Sequence, residues 1–128
     1  MILVDTNIII DFWNRPSELL KKVFTEEAIA ICGVIKAELM HGAKSNKELN
    51  LISEALSEFK YIPLDESIWN EVGKISYLLR KSGIAIPFQD TILCALSLKN
   101  DLILWTNDNH FNLVKTVIKD LKLLVLPC

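Results

Sequence analysis

Short apolar runs and longer helical patterns follow one another along this chain. Ile2-Leu3-Val4 is β-branched and too brief for a helix, which predicts a buried parallel strand. AIAIC (28–32), YIP (61–63), LILW (102–105) and LLVL (123–126) read the same way. Between these runs the apolar spacing turns helical. Ser17-Glu18 after Pro16 opens an amphipathic stretch through Leu19, Leu20, Val23 and Phe24, and VIKAELMHGA carries Val34, Ile35, Ala37, Leu39 and Met40 before ending at His41-Gly42. Residues 47–59 fit another helix. Asp65 is placed to cap a long one, whose Ile68, Val72, Ile75, Leu78 and Leu79 form a stripe up to Gly83. Pro87 precedes a helix from about Gln89 with Ile92, Leu93, Ala95, Leu96 and Leu98 core-like, and a last helix runs through Leu113, Val117 and Leu121. Strand and helix alternate, which predicts an α/β domain with a parallel sheet covered on both faces. No repeat, low-complexity tract or linker interrupts the pattern, so residues 1–128 read as one domain.

Composition narrows the class. Half of the 128 residues are hydrophobic (51%), which argues against disorder. No segment approaches the roughly 18 apolar residues of a membrane span, and Asp5 and Asp11 interrupt the N-terminal apolar stretch, so a soluble, unexported chain is expected. Cys32, Cys94 and Cys128 are an odd set without zinc or redox spacing, which fits a reduced, cytoplasmic compartment. With 14 basic and 16 acidic residues the formal charge is −2, so no global cationic field draws in nucleic acid. A phosphate substrate would be held locally, with Arg15, Lys36, Lys44, Lys47, Arg80 and Lys81 as candidate helpers.

The acids carry the chemistry. Asp5 ends the first strand, Glu38 lies about one turn into the helix after the second, Asp90 opens the helix after IAIP, and Asp108 lies three residues past LILW. Each stands after an apolar run, and in open α/β sheets the C-terminal ends of the strands are where ligands bind. Singly, each has an ordinary reading: Asp5 as a turn former or N-cap, Glu38 as a solvated helix residue, Asp90 as the N-cap of a helix near Thr91, Asp108 as a loop acid or cap. Jointly they point elsewhere. No basic residue recurs at those positions, so converging carboxylates would repel one another unless a cation sat among them. Oxygen donors select hard cations, Mg²⁺ or Mn²⁺, over zinc, and such ions activate water for in-line attack on a phosphodiester. Thr6, Asn7, Thr106 and Asn107 flank two of the acids with side chains suited to supporting hydrogen bonds. His41 ends a helix and His110 sits in a loop, ordinary places for a polar ring, so neither reads as a ligand. Trp13, Trp69 and Trp105 read as core or interface residues rather than base-stacking platforms.

VDTNIIID, VIKAELMHGA, GIAIPFQDTILCALSLKN and LILWTNDNHF, in that order and at those separations, make the chain resemble the PIN-domain ribonucleases, specifically the VapC-type toxins of toxin–antitoxin pairs. The resemblance implies a three-layer α/β/α sandwich with a short parallel sheet, cleavage of RNA dependent on Mg²⁺ or Mn²⁺, and a cognate antitoxin that occupies the site. It maps the acidic motif onto Asp5, Glu38, Asp90 and Asp108, with Thr106 as the hydroxyl residue before the last acid. Some relatives place a further acid just before the Phe matching Phe111; this chain has His110 there, so the fourth acidic role falls to Asp108 alone. The expected activity leaves a 5′-phosphate and a 3′-hydroxyl. A homodimer is expected from the apolar content.

Two rivals keep an α/β domain of this length. A Mg²⁺-binding receiver module needs paired acids after the first strand, where only Asp5 stands, and a phosphoacceptor strand, for which YIPLD is the sole candidate. A catalytically silent binding module predicts no metal-dependent cleavage.

Overall fold

The structure, a computed structural model, describes residues 1–124. By internal contact it divides into two compact units, Met1–Pro63 and a second beginning at Leu64.

In the first unit, β1 (Ile2–Val4), β2 (Ile29–Ile31) and β3 (Lys60–Tyr61) are parallel, with Ile2 opposite Ile29 and Ala30 opposite Lys60. β1 and β2 are buried along their whole length, as the continuous apolar runs require of strands covered on both faces. Two helices, not one, join β1 to β2: α1 (Thr6–Asn14) and α2 (Glu18–Glu26). The sequence pattern did not predict α1. Its Ile8-Ile9-Ile10 run looks strand-like, yet Ile8 and Ile9 are buried while Ile10 is 38% exposed, a helical division of faces rather than an alternating one. Ser17 caps α2, its Oγ accepting the Leu20 amide at 3.1 Å. Phe24 of α2 stacks on Phe12 of α1 with ring centroids 4.0 Å apart, and meets Phe59 edge-on at 5.9 Å. The helices α3 (Gly33–His41) and α4 (Asn46–Leu56) lead from β2 to β3.

In the second unit, α5 (Glu66–Lys81) starts at Asp65, whose Oδ1 accepts the Ile68 amide at 3.1 Å. It buries Ile68, Val72, Ile75 and Leu79, whereas Leu78, expected in the same stripe, is 42% exposed. Beyond the C-cap Ser82 of α5, Gly83 turns the chain with a φ of +76°, a conformation that favours a residue without Cβ. α6 (Phe88–Lys99) is buried at every position from Asp90 to Ser97, so it lacks the solvent face of an ordinary surface helix. β4 (Ile103–Trp105), α7 (His110–Val117) and β5 (Lys122–Leu124) follow, β4 and β5 parallel with Leu104 opposite Leu123. Val125 and Leu126 of the expected last strand, and Cys128, lie outside the described residues. Trp105 is core, at 2% exposure, but Trp69 is not. The α/β class and parallel strands agree with the sequence pattern; strict alternation does not, because paired helices separate the first four strands.

Candidate active site

In the first unit the end of β1 and the second turn of α3 bring two acids toward one threonine. Asp5 leaves the strand in extended conformation (φ −78°, ψ 160°) and caps α1, its Oδ1 accepting the Thr6 amide at 2.7 Å. The Thr6 hydroxyl donates to Glu38 Oε2 at 2.9 Å. Asp5 and Glu38 are therefore both tied to Thr6, one through its amide and the other through its hydroxyl. Asn7 lies exposed in the first turn of α1. Cys32, at the end of β2, lies near this pair: burial pushes its thiol up from the ordinary value, and the charges of Glu38 and Asp5 push it further. That thiol is held neutral and is a poor nucleophile.

In the second unit, Asp90 is in the first turn of α6, not its cap; Pro87 occupies the cap position. A carboxylate near a helix N-terminus is favoured by the helix dipole, but Asp90 is only 8% exposed and needs partners. One is His110 Nε2, 2.6 Å from Asp90 Oδ2. The other ring nitrogen, Nδ1, lies 2.8 Å from Asp108 Oδ1. Asp108 is fixed from behind, its amide donating to Thr106 Oγ1 at 3.0 Å. The imidazole thus bridges two of the four acids. One turn along α6, burial and then the Asp90 charge push the Cys94 thiol up to about 12.

His110 is the residue that sequence reasoning missed, and two expectations change with it. It opens α7 rather than sitting in a loop, and a basic group does stand among the acids. The signal was in TNDNHF: a ring two residues after Asp108, followed by a Phe111 that is fully buried, has its backbone anchored beside that carboxylate. His41 is exposed at the end of α3, as expected.

The donor set suits a divalent cation. One ligand atom each from Asp90, Asp108 and His110 lies within 4.8 Å of the others, close enough to share an ion, and in the first unit Asp5 and Glu38 present hard oxygen donors. No helix among the described residues is long and apolar enough to cross a membrane.

Comparison with known proteins places these residues in a family. Residues 2–117 match the PIN domain. No curated protein matches the chain. Among solved structures it is similar to VapBC2 from Rickettsia felis bound to a DNA fragment from their promoter, at 20% identity and a TM-score of 0.81 over 99% of this chain and 100% of that one. It is similar also to VapBC-1 from nontypeable Haemophilus influenzae, at 22% identity and a TM-score of 0.81 over 97% of each chain. A toxin–antitoxin complex from Klebsiella pneumoniae matches at 25% identity and a TM-score of 0.69, over 85% of this chain and 88% of that one. With nearly its whole length matched, and with the α/β fold and parallel strands that its apolar runs predict, the chain belongs to the PIN-domain family.

Proposed function

We propose that this chain is a Mg²⁺- or Mn²⁺-dependent endoribonuclease that acts in the cytoplasm as the toxin of a toxin–antitoxin pair. The observation that carries the reading is Asp90: a PIN-family chain keeps a carboxylate buried at the start of α6, beside Asp108, at the cost of desolvating it. A structural acid in that place is better replaced by an apolar residue, whereas a metal ligand is not. The metal ligands in this reading are Asp5 and Glu38 in the first unit and Asp90 in the second, with Asp108 in a completing or weaker role. When bound, the ion supplies activation of water for in-line attack on the phosphodiester and stabilises the leaving oxygen. Asp5 is held for this by the start of α1 and Glu38 by Thr6, so both carboxylates are oriented before any ion arrives. Neither buried thiol takes part, because each is kept neutral.

The antitoxin partner is supported by the toxin–antitoxin complexes among the similar structures. Trp69, Tyr77, Leu78, Phe88 and Leu113 expose large apolar side chains, which supports self-association as a homodimer. Light scattering of the partner-free protein should give twice the 14.5 kDa chain mass; a species of the chain mass at micromolar concentration counts against the dimer. The chemistry is tested by the ends of the cut. RNA fragments should carry a 5′-phosphate and a 3′-hydroxyl, while a 2′,3′-cyclic phosphate would mean attack by the ribose hydroxyl and no role for an activated water.

A further inference from the structure

His110 does more than bridge its neighbours. Its ring is held at both ends, by Asp90 from α6 and by Asp108 from the segment after β4, and it lies against its own neighbour Phe111 with ring centroids 5.0 Å apart. Phe111 is fully buried, so the backbone that carries the imidazole is anchored in the core. A carboxylate behind one imidazole nitrogen is the arrangement found around metal-binding histidines: it fixes the proton on that nitrogen and leaves the other a better donor to a cation. Here Asp108 stands behind Nδ1, and the nitrogen left over, Nε2, points at Asp90 Oδ2 only 2.6 Å away. At that distance the two atoms are joined by a hydrogen bond, and a divalent cation takes the place of its proton once nitrogen and oxygen part to about 3 Å, the separation of neighbouring ligands about 2.1 Å from a metal.

We propose that His110 Nε2 is a ligand of the divalent cation held by Asp90, and that Asp108 acts as the carboxylate that orients the ring. The inference rests on the metal-dependent reading above and changes two things in it. Asp108 works through His110 rather than as a direct ligand. A nitrogen donor also shifts the preference of the site toward Mn²⁺, because Mg²⁺ favours oxygen alone and follows Mn²⁺ in affinity for imidazole.

With only two histidines in the chain, a histidine nitrogen bound to the ion can be assigned. Mn²⁺ is added to the purified protein, and pulsed electron paramagnetic resonance reads nitrogen coupled to the ion. The parent should show directly coordinated ¹⁴N, and protein grown with ¹⁵N-histidine should show the ¹⁵N pattern instead. His41→Gln, on the exposed end of α3, should leave that signal unchanged and assign it to His110. His110→Gln should still bind Mn²⁺ but lose the coupling, and its preference for Mn²⁺ over Mg²⁺ should fall about tenfold or more. Asp108→Ala should keep the coupling while Mn²⁺ affinity drops about 10- to 100-fold, as for other carboxylates behind metal-bound imidazoles. Mn²⁺ bound to the parent without histidine nitrogen overturns the inference and leaves the metal-dependent reading standing. No Mn²⁺ binding at all overturns both.

Discussion

Asp5 separates the two jobs a carboxylate can do at the end of β1. Its Oδ1 accepts the Thr6 amide at 2.7 Å, so it is a capping residue as well as a candidate ligand. Asn keeps an acceptor oxygen in the same place and ranks with Asp at N-caps, so Asp5→Asn should melt within about 0.5 kcal/mol of the parent without metal. It should err on the stable side, because a negative charge near Glu38 is removed. Asp5→Ala loses the cap and should cost about 1 kcal/mol. Over 128 residues that is a fall of about 4 °C in Tm. Both substitutions should abolish RNA cleavage, since neither supplies an anionic oxygen. Mg²⁺ at 100 times its dissociation constant should stabilise the parent by about 2.7 kcal/mol through mass action, and should do far less for either variant. The assay is a set of melting curves with and without Mg²⁺, run beside RNA cleavage. An Asp5→Asn protein that melts several degrees below the parent without metal, yet still cuts RNA, refutes the reasoning: Asp5 would be a cap and nothing more.

Cys94 predicts how stability changes in alkali. Its thiol ionises at about 12 when folded against 9.0 for the free group, so its contribution is fully present below pH 9 and is lost as pH rises toward 12. Urea unfolding at pH 8, 9 and 10 should therefore fall more steeply for the parent than for Cys94→Ala, by up to about 1 kcal/mol per pH unit above 9, and equal slopes would contradict the cause given. Gly83→Ala should lower stability by about 1 kcal/mol, because nothing lies within 4 Å of the added Cβ and only the left-handed φ of +76° resists it. An unchanged denaturation midpoint would mean that the end of α5 can shift its backbone freely.

β1, β2 and β4 were legible because each is an uninterrupted apolar run, the pattern of strands buried on both faces, whereas β3 is the exposed pair Lys60–Tyr61 rather than the expected 61–63, and β5 opens on an exposed Lys122. Helices with Ser or Asp at the cap and apolar residues at helical spacing, such as α2 and α5, were legible for the same kind of reason. α1 was not: Ile8-Ile9-Ile10 is β-branched, and the Asp5 cap that starts the helix was read only as a possible turn or cap. α6 carries little periodicity because it is buried on all sides from Asp90 to Ser97, and periodicity reports a difference between faces. Of the site, Asp5, Glu38, Asp90 and Asp108 could be picked out by their places after apolar runs, and Thr6 and Thr106 by their neighbours. His110 was legible only in part: its place two residues after Asp108 shows in TNDNHF, but its reach to Asp90, twenty residues earlier in the chain, leaves no local pattern.

The most direct test of the account is cleavage of RNA by the purified protein, freed of any partner, as divalent metal is removed and returned. Mg²⁺ or Mn²⁺ should support cleavage, excess chelator should stop it, and restoring the metal should restore it. Asp90→Asn, which keeps the size of the side chain and removes its charge, should be silent throughout while remaining folded by circular dichroism. Cleavage that continues unchanged in excess chelator, or in Asp90→Asn, would contradict the central claim that these carboxylates hold a catalytic metal ion.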